Sequence, residues 1–131
     1  MTEPVLLVED ELFIALDVQA TIEAAGFAVE GPCMTLVEAQ EAVDRHNAAF
    51  AAAVLDVRLA DGTVFEAADR LHAAGVPLIF HSGHADDVDL RRRYPQATVC
   101  PKPSAPDTLS AAIRRSAMRR LNGGEQQHST G

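Results

Sequence analysis

Short apolar runs that each close on a polar residue, separated by longer stretches of helical period, constrain this chain more than any other feature. Val5-Leu6-Leu7-Val8 is followed by Glu9-Asp10, and Ala51 to Leu55 by Asp56. Val76-Pro77-Leu78-Ile79-Phe80 is followed shortly by Ser82, and Ala97-Thr98-Val99-Cys100 by Lys102. Such continuous runs suit strands buried on both faces, whereas a half-exposed strand would alternate apolar with polar. A weaker strand is expected at Phe27 to Gly31. Strands alternating with helical segments are the pattern of a parallel sheet covered by crossover helices.

The intervening segments carry helix signals. Ile14, Val18, Ile22 and Ala25 recur at steps of three and four, and Gly26 stands where a left-handed residue would end the helix. Thr35-Leu36-Val37-Glu38 has the form of a capping box, opening a second helix to about His46. Thr63-Val64-Phe65-Glu66 repeats it and predicts a third helix, with Val64, Ala67, Ala68 and Leu71 inward and Gly75 as its stop. Ala85 to Tyr94 is charged and lacks an apolar stripe, so a fourth helix there is expected to be short or irregular. Ser104 is a candidate cap for a last helix to about Leu121, with Leu109 and Ile113 inward. Residues 122–131 have nothing to bury and are expected to be a disordered tail after one domain at 1–121.

A chain of 131 residues has room for one ordinary domain. The net charge of -8 argues against a protein whose main task is holding nucleic-acid phosphates, and suggests that any phosphate here is handled through a bridging cation. No 18-residue apolar run and no secretory leader pattern is present, so a cytoplasmic protein is expected. Cys33 and Cys100 belong to no metal-ligand pair and read as packing residues.

The chemistry follows from where the polar residues fall. In a parallel sheet Glu9, Asp10, Asp56, Ser82 and Lys102 all lie at the same edge, the one where open α/β folds place their ligands. Taken singly each has a plain structural use: Asp10 as a helix cap, Asp56 and Ser82 as turn residues, Lys102 as a solvated charge. Their joint placement at the ends of separate strands is what points to a site. Three carboxylates together repel unless a hard cation such as Mg²⁺ neutralises them. Asp56 is then the candidate nucleophile, since a carboxylate can form an acyl phosphate, with Lys102 and the Ser82 hydroxyl left to meet the phosphoryl oxygens.

The blocks V-L-L-V-E-D-E, V-L-D-V-R-L-A-D-G, F-H-S-G and P-K-P resemble, in this order, the signature blocks of receiver domains of two-component response regulators. The resemblance covers about Val5 to Leu121. It implies an α/β, doubly wound, five-stranded parallel sheet of strand order 2-1-3-4-5, the flavodoxin-like receiver fold. It further implies Asp56 as phosphoacceptor and Ser82 and Lys102 as ligands of the phosphoryl group. Mg²⁺ would be held by Asp10, Asp56 and the main-chain carbonyl of Arg58, with Glu9 acting through water, and the Lys102-Pro103 peptide would be cis. The implied partners are a sensor histidine kinase and a downstream protein, and the implied role is signalling and not enzymatic turnover. The pattern is similar to a subgroup that pairs with HWE-type kinases. Arg58 and His84 stand where relatives tune loss of the phosphoryl group.

The chain also departs from that family. Leu59-Ala60 replaces a common Met-Pro pair, Ser104 stands where an aromatic is frequent, and Val99 occupies the position of a switch tyrosine or phenylalanine. Val99 and Ala60 favour a rival reading, a receiver-fold binding module with little phosphorylation-dependent switching. An aspartyl-phosphate hydrolase would want a second aspartate two residues beyond the nucleophile, where Arg58 stands. His81 and His84 are a weak candidate pair for a soft metal, having no cysteine or third histidine near them in sequence. Arg91, Arg92 and Arg93, with Arg114, Arg115, Arg119 and Arg120, form two basic groups that read as solvated faces or as a partner surface on helices four and five. No DNA-binding motif and no membrane span is recognisable.

Overall fold

A computed structural model of the chain describes residues 3–83 and 87–130, leaving side chains undescribed at 87 and 123–130. In chain order the elements are β1 (Val5–Val8), α1 (Leu12–Ala24), β2 (Val29–Cys33), α2 (Leu36–Arg45), β3 (Ala52–Leu55), β4 (Arg58–Leu59) and β5 (Gly62–Thr63). They continue with α3 (Phe65–Ala73), β6 (Leu78–Ser82), α4 (Asp87–Arg93), β7 (Thr98–Pro101) and α5 (Pro106–Thr130). Five strands form a parallel sheet in the order β2-β1-β3-β6-β7, while β4 and β5 pair as a separate antiparallel ribbon. Counting only the five sheet strands, this is the expected 2-1-3-4-5 order.

Because side chains alternate along a strand, each apolar run feeds two cores. Leu6 and Val8, Ala53 and Leu55, and Leu78 and Phe80 join one core with α2, α3 and α4 residues such as Val43, Leu71 and Leu90. Val5 and Leu7, Ala52 and Val54, and Ile79 join the other with Val18 and Ile22 of α1 and Leu109 and Ile113 of α5. This is why the runs are continuous and not alternating: both faces of the sheet are covered.

Several local expectations gave way to long-range contacts. β2 lies two residues further on than expected, because Phe27 N still donates to Ile22 O at the end of α1. Its pairing with β1 then shifts between Leu6 and Val8, at Gly31, whose φ is +111° and whose hydrogen faces the Leu7 carbonyl so closely that a Cβ would sit 2.5 Å from it. Thr35 caps α2 as expected, accepting from Glu38 N. Thr63 does not cap α3, which starts at Phe65 without a side-chain cap; its backbone is engaged in the β4-β5 ribbon instead. Ser104 likewise does not cap α5, whose first residue is Pro106, well suited to that position because it lacks an N–H.

The fourth helix is short, as expected, and residues 84–86 before it lie outside the described residues. The backbone of α5 runs on to Thr130, beyond the helix end expected at about Leu121 and into the segment 122–131 expected as a tail. Helical hydrogen bonds are local and need no burial, and Gly123 and Gly124 oppose them by only about 1 kcal/mol each relative to alanine. Lys102-Pro103 is cis, and so is Gly31-Pro32.

Candidate functional site

The carboxyl ends of β1, β3, β6 and β7 bring Glu9, Asp10, Asp56, Ser82 and Lys102 to one edge of the sheet. Backbone hydrogen bonds hold the edge in register. Glu9 N donates to Cys33 O, Asp56 N to Val8 O and Lys102 N to Ser82 O, at 2.8 to 2.9 Å. Each strand thus delivers its terminal side chain at a height set by its neighbour.

Lys102 is the electrostatic centre. Its ammonium lies 2.9 Å from Glu9 Oε1 and 3.2 Å from Asp56 Oδ1, with Glu11 Oε1 at 3.9 Å. Burial opposes its charge most strongly, but the Glu9 hydrogen bond and the charges of Asp56 and Glu9 outweigh that and raise its pKa. Glu9 is buried; its Oε2 accepts from Glu11 N at 3.1 Å, and its Oε1 pairs with Lys102. Asp56, 8% exposed, accepts from Val57 N at 2.9 Å through Oδ1. Ser82 is buried, and its hydroxyl donates to Gly83 O at 2.6 Å.

The carboxylates destabilise one another. Burial raises the pKa of Asp56, with the hydrogen bond and charge of Glu9 adding to it and Lys102 opposing. Asp10 is also raised, by burial first and then by the hydrogen bond and charge of Asp56. Lys102 is the cation paired with this group, and a second positive charge would relieve the remaining repulsion. The donors are all hard carboxylate oxygens, the set that Mg²⁺ or Ca²⁺ takes and that soft metals do not. Glu9, Asp10 and Glu11 each offer an oxygen within 4.8 Å of the others, and the charge of Asp56 acts on Asp10 while that of Glu9 acts on Asp56. The residues present therefore fit a divalent cation. Asp10 does not cap α1, whose N-cap is Glu11, so its carboxylate is not committed to that helix.

Other candidates fall elsewhere. Arg58 lies on β4, two residues past Asp56, with an exposed side chain. His84 lies outside the described residues. His81 joins no metal-type cluster among the described residues; its Nε2 is 2.9 Å from Ser104 Oγ. The basic groups are partly structural: Arg93 lies 4.3 Å over the Phe65 ring and pairs with Asp69 at 3.2 Å. Arg119 and Arg120 donate to the carbonyls of Gln96 and Ala74. Glu11 and Ser104 were not singled out for the site by sequence. For Glu11 the signal was present, as a third acid after Glu9-Asp10; for Ser104 it was masked by a helix start two residues later.

No protein-family model matches the chain. Among solved structures, the response regulator PhyR from Brucella abortus superposes with a TM-score of 0.83 at 25% identity, over 100% of this chain and 54% of that one. The PhyR receiver domain from Erythrobacter litoralis gives 0.77 at 26% identity, covering 89% of this chain and 91% of that one. A response regulator receiver protein from Sinorhizobium medicae shares the fold at 0.81, with 24% identity and 91% and 97% coverage. With the sheet order and the acidic edge, these likenesses make the chain a response-regulator receiver domain. Among curated proteins it is similar to the phyllosphere-induced regulator PhyR of Methylorubrum extorquens, 30% identical over 115 residues. That match takes in 86% of this chain but only 43% of the relative, so the chain spans less than half of PhyR's length.

Proposed function

We propose that Asp56 accepts a phosphoryl group from the phosphohistidine of a sensor histidine kinase in a Mg²⁺-dependent reaction, and that the modified domain signals to, or passes phosphate to, a protein partner. The observation that carries this reading is the Asp56 carboxylate at the end of β3, 3.2 Å from the Lys102 ammonium, which also pairs with Glu9 at 2.9 Å. An Asp56 oxygen attacks phosphorus, a P–O bond forms as the donor's P–N bond breaks, and the donor histidine regains a proton. Lys102 and the Ser82 hydroxyl would meet the negative oxygens of the transferred group. Asp10, Asp56 and the Arg58 carbonyl would hold Mg²⁺, with Glu9 acting through water. Bound there, the cation would offset the acids' charge so that an anionic donor can approach.

The downstream partner we propose is a protein docking on the α4, β7 and α5 side, and the setting is the cytoplasm. The HWE-type pairing stays part of this proposal. No described helix is long and apolar enough to cross a membrane. The chain is read as a signalling domain whose only chemistry is gain and loss of phosphate at Asp56.

Incubation with Mg²⁺ and acetyl phosphate, followed by intact-mass measurement with Asp56→Ala as control, tests the reading. A gain of one phosphoryl that needs both Mg²⁺ and Asp56 is expected; no gain with any donor would defeat it. The rival, a binding module without phosphate switching, draws on Val99, which is half-buried against the α2–α4 core and has no ring to rotate. It predicts partner affinity that is the same with and without phosphate.

A further inference from the structure

We infer that His81 is a positioning residue for phosphoryl transfer: its hydrogen bond to Ser104 ties the strand that carries Ser82 to the loop that carries Lys102. The inference rests on the phosphoacceptor reading above. His81 is 5% exposed on a strand whose preceding residues, Leu78, Ile79 and Phe80, are apolar core. An imidazole in such a place is costly unless its nitrogens are satisfied. Nε2 is, by Ser104 Oγ at 2.9 Å, but Nδ1 has no hydrogen-bond partner among the described residues. An aliphatic side chain would fill the position without that penalty, so packing alone does not account for a histidine here.

What the hydrogen bond holds is a loop with little else to hold it. The β6-β7 ladder ends at Ser82 opposite Pro101, and Lys102 N donating to Ser82 O is the last backbone tie. Beyond it, the connection to α5 borders an open cleft of about 740 Å³ between α1 and α5, lined by His81, Lys102, Pro103 and Ser104 with Ile14 and Leu109 opposite. Ser104, free of capping duty, reaches back to His81. The loop is therefore tied to β6 at two adjacent points, by the Lys102–Ser82 backbone bond and by the Ser104–His81 side-chain bond. Lys102 must stay near both Glu9 and Asp56, and displacements of about 1 Å in such a group can cost up to about 100-fold in rate. Val99 has no ring with which to couple this loop to Ser82, and His81–Ser104 is a side-chain link between the strand and the loop.

The test uses the full chain with Mg²⁺ and acetyl phosphate, reading phospho-Asp56 by intact mass over time and donor concentration, with thermal unfolding of every variant. Ser104→Ala and His81→Phe should each lower the saturating rate constant by about tenfold with little change in half-saturating donor concentration. Ser104→Thr, which keeps the hydroxyl, should restore the rate, and the double variant should be no slower than the slower single. Wild-type rates in Ser104→Ala, or a Thr variant as slow as Ala, would overturn the inference while leaving Asp56 as acceptor. A parent protein that takes no phosphoryl would defeat both readings at once. Should His81→Phe fail to fold, the Ala and Thr variants at Ser104 decide the matter.

Discussion

Tyr94→Phe tests how α4 is fastened to the rest of the domain. Tyr94 is 2% exposed, and its ring lies 5.2 Å from Phe80 and 5.9 Å, edge-on, from His72. Its hydroxyl donates to Asp69 Oδ1 on α3 at 2.5 Å. Burial, and then the Asp69 carboxylate, push the Tyr94 pKa upward, so the proton needed for that bond is present throughout the working range. Phenylalanine keeps the ring packing and removes only the donor. A hydrogen bond to a charged group contributes about 1.5 to 3 kcal/mol. Asp69 is 56% exposed and retains Arg93, so water and the guanidinium can replace what is lost. The expected loss is therefore about 1 to 2 kcal/mol, a fall of roughly 4 to 8 °C in Tm for a domain of this size. Urea unfolding should show an unchanged slope, and the loss should be flat between about pH 6 and pH 9. A change within about 0.3 kcal/mol would mean that the Tyr94–Asp69 bond contributes nothing net, and that α4 is held by ring packing alone.

Gly31→Ala should cost at least about 2 kcal/mol in denaturant unfolding, because alanine would have to adopt a φ of +111° and its Cβ would meet Leu7 O at 2.5 Å. Asp10 has a folded pKa raised above its ordinary 3.8, so its favourable contribution exists only at low pH and is lost as pH rises. Asp10→Asn should consequently raise the Tm by a few degrees at neutral pH in chelator, and abolish the stabilisation that Mg²⁺ gives the parent, both read by thermal scans with and without the ion. Burial pushes the Cys33 thiol up to about 11, which leaves about one molecule in a thousand ionised at pH 8. Labelling of Cys33 by a thiol reagent should thus wait on unfolding; rapid labelling of the folded protein would contradict the burial.

Local information was enough for much of the fold. Val5 to Val8 and Ala52 to Leu55 were legible as strands because residues facing both cores had to be apolar. Thr35 was legible as a cap because its bond to Glu38 N spans three residues and competes with nothing distant. Thr63 and Ser104 were misread for the opposite reason. The same residue type, at a similar offset from a helix start, was taken by a ribbon partner in one case and by His81 in the other. A one-dimensional pattern does not say which partner is nearer.

The same division runs through the acidic edge. Hydrophobic runs mark where each strand stops, and that alone puts Glu9, Asp10, Asp56, Ser82 and Lys102 at strand ends. That Lys102 sits between Glu9 and Asp56, that Glu11 joins the carboxylates, and that His81 reaches Ser104 depends on how the folded elements pack. Strand position follows from residues adjacent in the chain. Charge pairing and hydrogen bonding at the strand ends follow from atoms brought within about 3 Å by the register of neighbouring strands, a distance that spacing along the chain does not encode.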